Sequence, residues 1–197
     1  MKTVVAVVCV LVLAPAISRI EAAGPNRVIA PDVPGEIVVP DGHVPFLVGH
    51  AVGTQGYFCV GSGASSVWVP FGPQATLFDE AFEQAITHFL SPNPDQGGAL
   101  RATWQHSRDT SAIWAGLAIP STDGNYVAPG AIPWLRLTVV GQEPGPSGGN
   151  RLTSATYIHR VNTVGGIAPN SECNPSERRA LVPYEADYYF YRQAGSQ

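Results

Sequence analysis

The chain has 197 residues and a formal net charge of −4 at pH 7. A mildly acidic balance argues against nucleic acid and anionic membranes as partners, because both require clustered positive charge. The length fits one domain with a real core, and neither a repeat nor a linker divides it.

The first segment reads as a targeting signal. Lys2 gives a positive start, Thr3 to Ile17 is almost entirely apolar, and Ala22 and Ala23 supply small residues before Gly24. The pattern predicts a secretory signal peptide over residues 1–23 and a single all-β domain over residues 24–197. The alternative is an uncleaved anchor, but the apolar run is short for a span, which needs about 20 apolar residues. No later run in the sequence is long enough to cross a membrane. Removing Lys2, Arg19 and Glu21 leaves nine arginines, no lysine and fourteen carboxylates, a formal charge of −5. Arg178 and Arg179 form the one basic pair and read as a surface feature. The expected location is extracellular, or periplasmic in a Gram-negative bacterium. Cys9 leaves with the signal, so Cys59 and Cys173 remain. In an exported chain they suggest one disulfide, the alternative being two free thiols.

From Gly24 to Pro40 four prolines predict an extended lead-in. Val44 to His50 and Tyr57 to Val60 read as separate strands, then Gly61 to Ser66 as a break, Val67 to Val69 as a strand and Pro70 to Pro73 as a second break. Ala75 to Leu90 is ambiguous, since Asp79 to Ala85 has helical propensity while Ala75–Phe78 and Ile86–Phe89 are strand-like. A hairpin with a helical or loose tip is the expectation. Ser91 to Gly98 reads as a loop, and Arg101–His106 and Ser111–Ile119 as strands. In the second of these Ile113, Ala115, Leu117 and Ile119 fall on one face. Ser121 to Gly130 is a turn region. Ile132 to Val140 alternates, with Leu135, Leu137 and Val139 pointing one way, as in a half-buried antiparallel strand. Gly141 to Asn150 is a loop and Thr153 to Asn162 a strand with Tyr157, His159 and Val161 on one face. A long loop over Gly165 to Arg179 holds Cys173, and an aromatic strand over Pro183 to Arg192 closes the chain. Many short strands at intervals of about ten residues, joined by long Gly/Pro-rich loops, predict an antiparallel β-sandwich or barrel.

Several stretches, in order, carry a resemblance. They are Val44–Cys59, ending Gly-Thr-Gln-Gly-Tyr-Phe-Cys, then Pro73–Asp79, Thr87-His88-Phe89 and Ala102-Thr103-Trp104. After them come Ala131–Leu135, Arg160–Thr163 with Gly165, Gly166, Pro169 and Cys173, and Val182–Tyr188. Together they cover nearly all of the chain after the signal, and it resembles the secreted fungal and bacterial proteins grouped as domain of unknown function 3455. The resemblance implies a secreted all-β domain without an established activity. Some members carry a malate dehydrogenase label, which this sequence does not support: it has no Gly-x-Gly-x-x-Gly after a strand and no alternating strand–helix units. His159 departs from the family pattern, where glutamine is expected.

The motifs that carry chemistry are sparse. Gly145-Pro146-Ser147-Gly148-Gly149 matches a nucleophile elbow in letters only, since it sits in a Pro/Gly loop and is followed by a strand rather than a helix. Ser107, His106 and Asp109 lie too close along one strand for a catalytic triad, and Asp109, Asp123 and Asp187 are candidate acids by residue type alone. No His-x-His or His-Glu-x-x-His spacing is present. Trp104 to Asp109 is the most polar strand end, and with His88 it predicts a small pocket with Trp104 as a wall and Asp109 orienting a histidine. Trp68, Trp104, Trp114 and Trp134 suit sugar stacking by type, although core packing is the simpler role for each. The candidate binding residues are therefore His50, Gln55, Tyr57, His88, Trp104, His106 and Asp109. The leading expectation is a non-enzymatic extracellular binding module with no cofactor, for a polysaccharide or cell-wall component. The runner-up is a secreted metal-dependent protein or enzyme, with copper or zinc held by His88 together with His50, His106 and Asp109.

Overall fold

The structure is a computed structural model that describes residues 27–61, 66–170, 172–173 and 179–196. The signal segment and Arg178 lie outside the described residues. Eight strands follow one another: β1 (His43–Val60), β2 (Val67–Phe78), β3 (Gln84–Asn93), β4 (Ala99–His106), β5 (Ala112–Ser121), β6 (Trp134–Glu143), β7 (Ala155–Gly165) and β8 (Arg179–Gln193). Each pairs antiparallel with the next, and β8 returns to pair with β1, so the sheet closes into an up-and-down barrel. Of the two expected architectures, the barrel is the one formed. Closure also removes the free strand edges that a sandwich must protect.

The strands are longer than the Gly/Pro punctuation predicts. Val44–His50 and Tyr57–Val60 belong to one strand of 18 residues, and the expected break at Pro70–Pro73 lies within β2. Proline is admitted where the ladder is irregular: the register shifts between Gly56 and Tyr57, opposite Pro70 to Gly72, and again between Pro45 and Leu47. Gly53 is needed for close approach, since a Cβ there would lie 2.2 Å from the Gln74 carbonyl oxygen on β2. The Ala75–Leu90 segment is a hairpin with a loose tip. Asp79 Oδ1 accepts from the amides of Ala81 and Glu83, so a carboxylate closes the turn that helical propensity had suggested.

In β5 the predicted face holds only in part. Ile113 and Ala115 enter the core, whereas Leu117 is 77% exposed. Register shifts on either side of Ala115 and Gly116, with Leu117 at a φ of 48°, break the alternation. In β6 the alternation holds, with Leu137 in the core and Leu135 and Val139 packed against it. Tyr157, His159 and Val161 of β7 share the outer face, while Ile158 is buried in the core.

The lead-in covers part of the barrel's outer wall. A 3-10 turn at Gly35–Ile37 seats Ile37 among Val127, Trp134 and Val161. His159 fixes it from below: Nε2 donates to the Ile37 carbonyl at 2.7 Å, and Nδ1 accepts from the Tyr191 hydroxyl at 3.1 Å. Burial lowers the His159 pKa to about 4, so this ring is a neutral structural bridge.

Up-and-down topology sends the β1–β2, β3–β4, β5–β6 and β7–β8 connections to one end of the barrel. The disulfide Cys59–Cys173 forms there and ties the end of β1 to the β7–β8 connection across a sequence separation of 114. Tyr57 adds a second tie, its hydroxyl donating to the Gly166 carbonyl at 2.6 Å. Gly166 has a φ of 83°, and a Cβ there would lie 2.9 Å from that of Tyr184, so glycine is required. A loop closed over this separation contributes about 4 to 5 kcal/mol through the unfolded chain. Reduction, or a Cys59→Ala/Cys173→Ala double variant, is expected to lower the unfolding free energy in urea by that order. A loss below about 1 kcal/mol would show that the bond restrains only the loop.

Candidate functional site

An eight-stranded barrel is just wide enough for side chains to fill it or for one small ligand to enter. Here the two halves differ. Leu77, Ile86, Ile113, Ile158 and Phe190 are fully buried and fill the end opposite the disulfide. Toward the disulfide end the inward positions are smaller, with Gly72 and Pro73 on β2 and Ala102 on β4, and a cavity of about 220 Å³ opens among them. Leu90, Leu135 and Leu137 supply apolar walls, and Gln55, His88, Trp104, Arg160 and Tyr188 supply its polar atoms.

His88 and Trp104 lie directly across the β3–β4 ladder and stack, with ring centroids 4.0 Å apart at 14°. His88 is 2% exposed, and its Nδ1 donates to the Thr103 carbonyl at 2.8 Å. Burial lowers its pKa to about 3, against the favourable pull of that carbonyl, and the charge of Arg160 lowers it further. The ring is therefore neutral, with Nδ1 protonated and Nε2 left as an acceptor. Trp104 is 1% exposed and its indole Nε1 has no hydrogen-bond partner.

Arg160 stands in register between Leu135 on β6 and Tyr188 on β8. Its Nη2 donates to the Pro133 carbonyl at 2.9 Å and a further side-chain hydrogen bond reaches Tyr188, while its buried Nε has no partner. Among the described residues no carboxylate forms an ion pair with it. Burial raises the pKa of Tyr188 and of Tyr184, whose hydroxyls lie 3.1 Å apart, so both are neutral.

Three of the residues predicted from sequence thus meet: Gln55, His88 and Trp104. Tyr57 ties down the end of the barrel. The others lie elsewhere. His50 bonds Asp187 through Nδ1 at 2.7 Å and lies 3.4 Å from Glu80 through Nε2. Its burial lowers the pKa, but the hydrogen bond and charge of Asp187, then of Glu80, outweigh this and raise it. His106 faces the opposite end, beside Leu47, Gln84 and Arg151.

In the turn after β4 Asp109 meets His106, whose Nδ1 accepts from the Asp109 amide at 3.2 Å. The Asp109 carboxylate is occupied by Ser111 Oγ at 2.7 Å and the Arg151 amide at 2.8 Å. Ser107 bonds Gln84 instead. The expected set of His50, His88, His106 and Asp109 is therefore divided among three places. Among the described residues, no three or more His, Cys, Asp or Glu form a group able to hold a metal ion. Gly145–Gly149 is a turn, with the Gly148 amide donating to the Gly145 carbonyl at 2.8 Å.

Arg160 is the site residue that sequence reading did not select. Its signal is parity: it shares a strand face with Ile158, opposite to His159 and Val161, so an inward Ile158 requires an inward arginine.

The fold and cavity define the class as a disulfide-tied, up-and-down β-barrel with an interior pocket. The chain belongs to the family described as protein of unknown function (DUF3455), whose model matches residues 40–192. No curated protein matches the chain. No solved structure matches it either.

His88 makes the barrel acid-sensitive. The unfolded chain takes up a proton near the ordinary value of 6.5, while the folded state resists to about 3. The contribution is therefore full above the first value and is lost as pH falls toward the second. Between about pH 7 and about pH 4 the wild type should lose about 3 kcal/mol more than a His88→Gln variant in urea unfolding. Parallel losses would show that the imidazole is not buried in its neutral form.

Proposed function

We propose that this protein is an exported binding barrel that holds one small, largely apolar ligand inside the disulfide end. The observation that carries the reading is the cavity itself: about 220 Å³, walled by leucines, with Gln55, His88, Trp104, Arg160 and Tyr188 among its lining residues. Ligand pockets have this composition, apolar walls with a few convergent polar groups. Export is supported by the amino-terminal pattern and by a disulfide, which persists in oxidising compartments.

The polysaccharide reading has less support. Trp104, Trp114 and Trp134 are all buried, so these three rings offer no exposed platform for a sugar chain. A size comparison supports a compact ligand: an apolar cavity of about 150 Å³ in another protein admits benzene. The pocket here has room for a ring and one polar substituent.

Filling the cavity tests the proposal. A panel of ring-sized fragments, neutral and charged, is screened by thermal shift against the wild type and an Ala102→Leu variant whose fold is verified by circular dichroism. At least one fragment should stabilise the wild type, by about 2.7 kcal/mol at a hundredfold excess over Kd. The variant should not respond. Equal shifts in both proteins, or none in the wild type, would sink the interior-binding reading.

A further inference from the structure

The polar groups around the cavity are not a balanced set. Trp104 Nε1 and Arg160 Nε are both buried donors without partners, and both residues line the same space. The Arg160 guanidinium can only donate, and it carries a full positive charge. Among the described residues it is the one cation lining the cavity, and it has no ion-paired carboxylate. Arg160 is half-buried, and even a charge withdrawn from water in part is ordinarily paired, because desolvating an uncompensated ion is costly. The cavity also holds neutral acceptors, His88 Nε2 among them, so what stands uncompensated is the positive charge, and its complement is an anion.

The magnitude of that charge is also set. His88 lies in the same cavity but is neutral, since burial and Arg160 hold its pKa near 3. The Tyr188 phenol lining the cavity and the adjoining Tyr184 phenol are neutral as well, as burial raises both. The site therefore offers a single positive charge. A monoanion is compensated there, whereas a dianion such as a phosphate monoester would bring a second charge into a leucine-walled space with nothing to meet it. The planar guanidinium fork also matches a carboxylate in shape.

Resting on the interior-binding reading above, we infer that the ligand is a compact monocarboxylate with a ring-sized apolar body. Its carboxylate lies on Arg160, and its body lies among Leu90, Leu135 and Leu137. A ligand of this class compensates the unpaired cation.

Three probes of nearly equal size and different charge test the inference: benzoate, benzyl alcohol and benzylamine. Binding is measured by isothermal titration calorimetry to the wild type, to Arg160→Gln and to Trp104→Phe. Benzoate should bind the wild type at least about tenfold more tightly than benzyl alcohol, the factor expected of hydrogen bonds to a charged group. Benzylamine should not bind. Arg160→Gln should abolish the preference for benzoate while still taking benzyl alcohol. Trp104→Phe should leave the charge preference in place. Should Arg160→Gln fail to fold, the wild-type ratio alone decides. Benzyl alcohol binding as tightly as benzoate would overturn the carboxylate assignment and leave the interior pocket standing. Failure of all three probes to bind the wild type would overturn both.

Discussion

The pairing of β8 with β1 is the constraint on which the remaining architecture depends. The ladder runs from His43–Gln193 at one end to Phe58–Arg179 at the other, so the first and last strands are joined along nearly their whole lengths. Once that ladder forms, strand number fixes the internal diameter, and each inward position must be filled from a limited cross-section. Large residues at Leu77, Ile86 and Phe190 fill one half. Small ones at Gly72, Pro73 and Ala102 leave the other half hollow. The cavity is thus a consequence of closure plus side-chain size, without any special loop.

The same residue type takes different roles according to its distance from water. His88 and His159 are neutral because burial dominates, and each gives one ring hydrogen to a backbone carbonyl. His50, at the partly exposed rim, has its pKa raised by two carboxylates. His159 serves the outer wall of the barrel instead. The ring faces away from the cavity side of β7 and bonds Ile37 and Tyr191, so its work is to seat the lead-in.

Arg160 gives the interior its polarity. A barrel core made only of Leu, Ile and aromatic side chains would be electrically neutral and indifferent to ligand charge. One guanidinium between Leu135 and Tyr188 makes the hollow half distinct from the packed half. The disulfide and the Tyr57–Gly166 hydrogen bond restrain the same end of the barrel, so the connection carrying Cys173 is held where the pocket lies.

Strand-forming periodicity is local, and the sequence alone determined what depends on it: the all-β class, the hairpin around Asp79, and the alternation of Leu135, Leu137 and Val139. It overestimated the number of breaks, because Gly53, Pro70 and Pro73 read as punctuation until the partner strand reveals the close approach or bulge that they serve. Leu117 was misassigned for the same reason, since a bulge reverses a face without any sign in the alternating pattern. Of the candidate site residues, Gln55, His88 and Trp104 converge, while His50 and His106 do not, and composition could not separate these groups. Only tertiary structure decided that barrel closure brings Gln55, Trp104 and Arg160 to one cavity across strands far apart in the chain. Which inward residues meet depends on strand register and on the height of each along the barrel axis, and neither quantity is written in any short stretch of sequence.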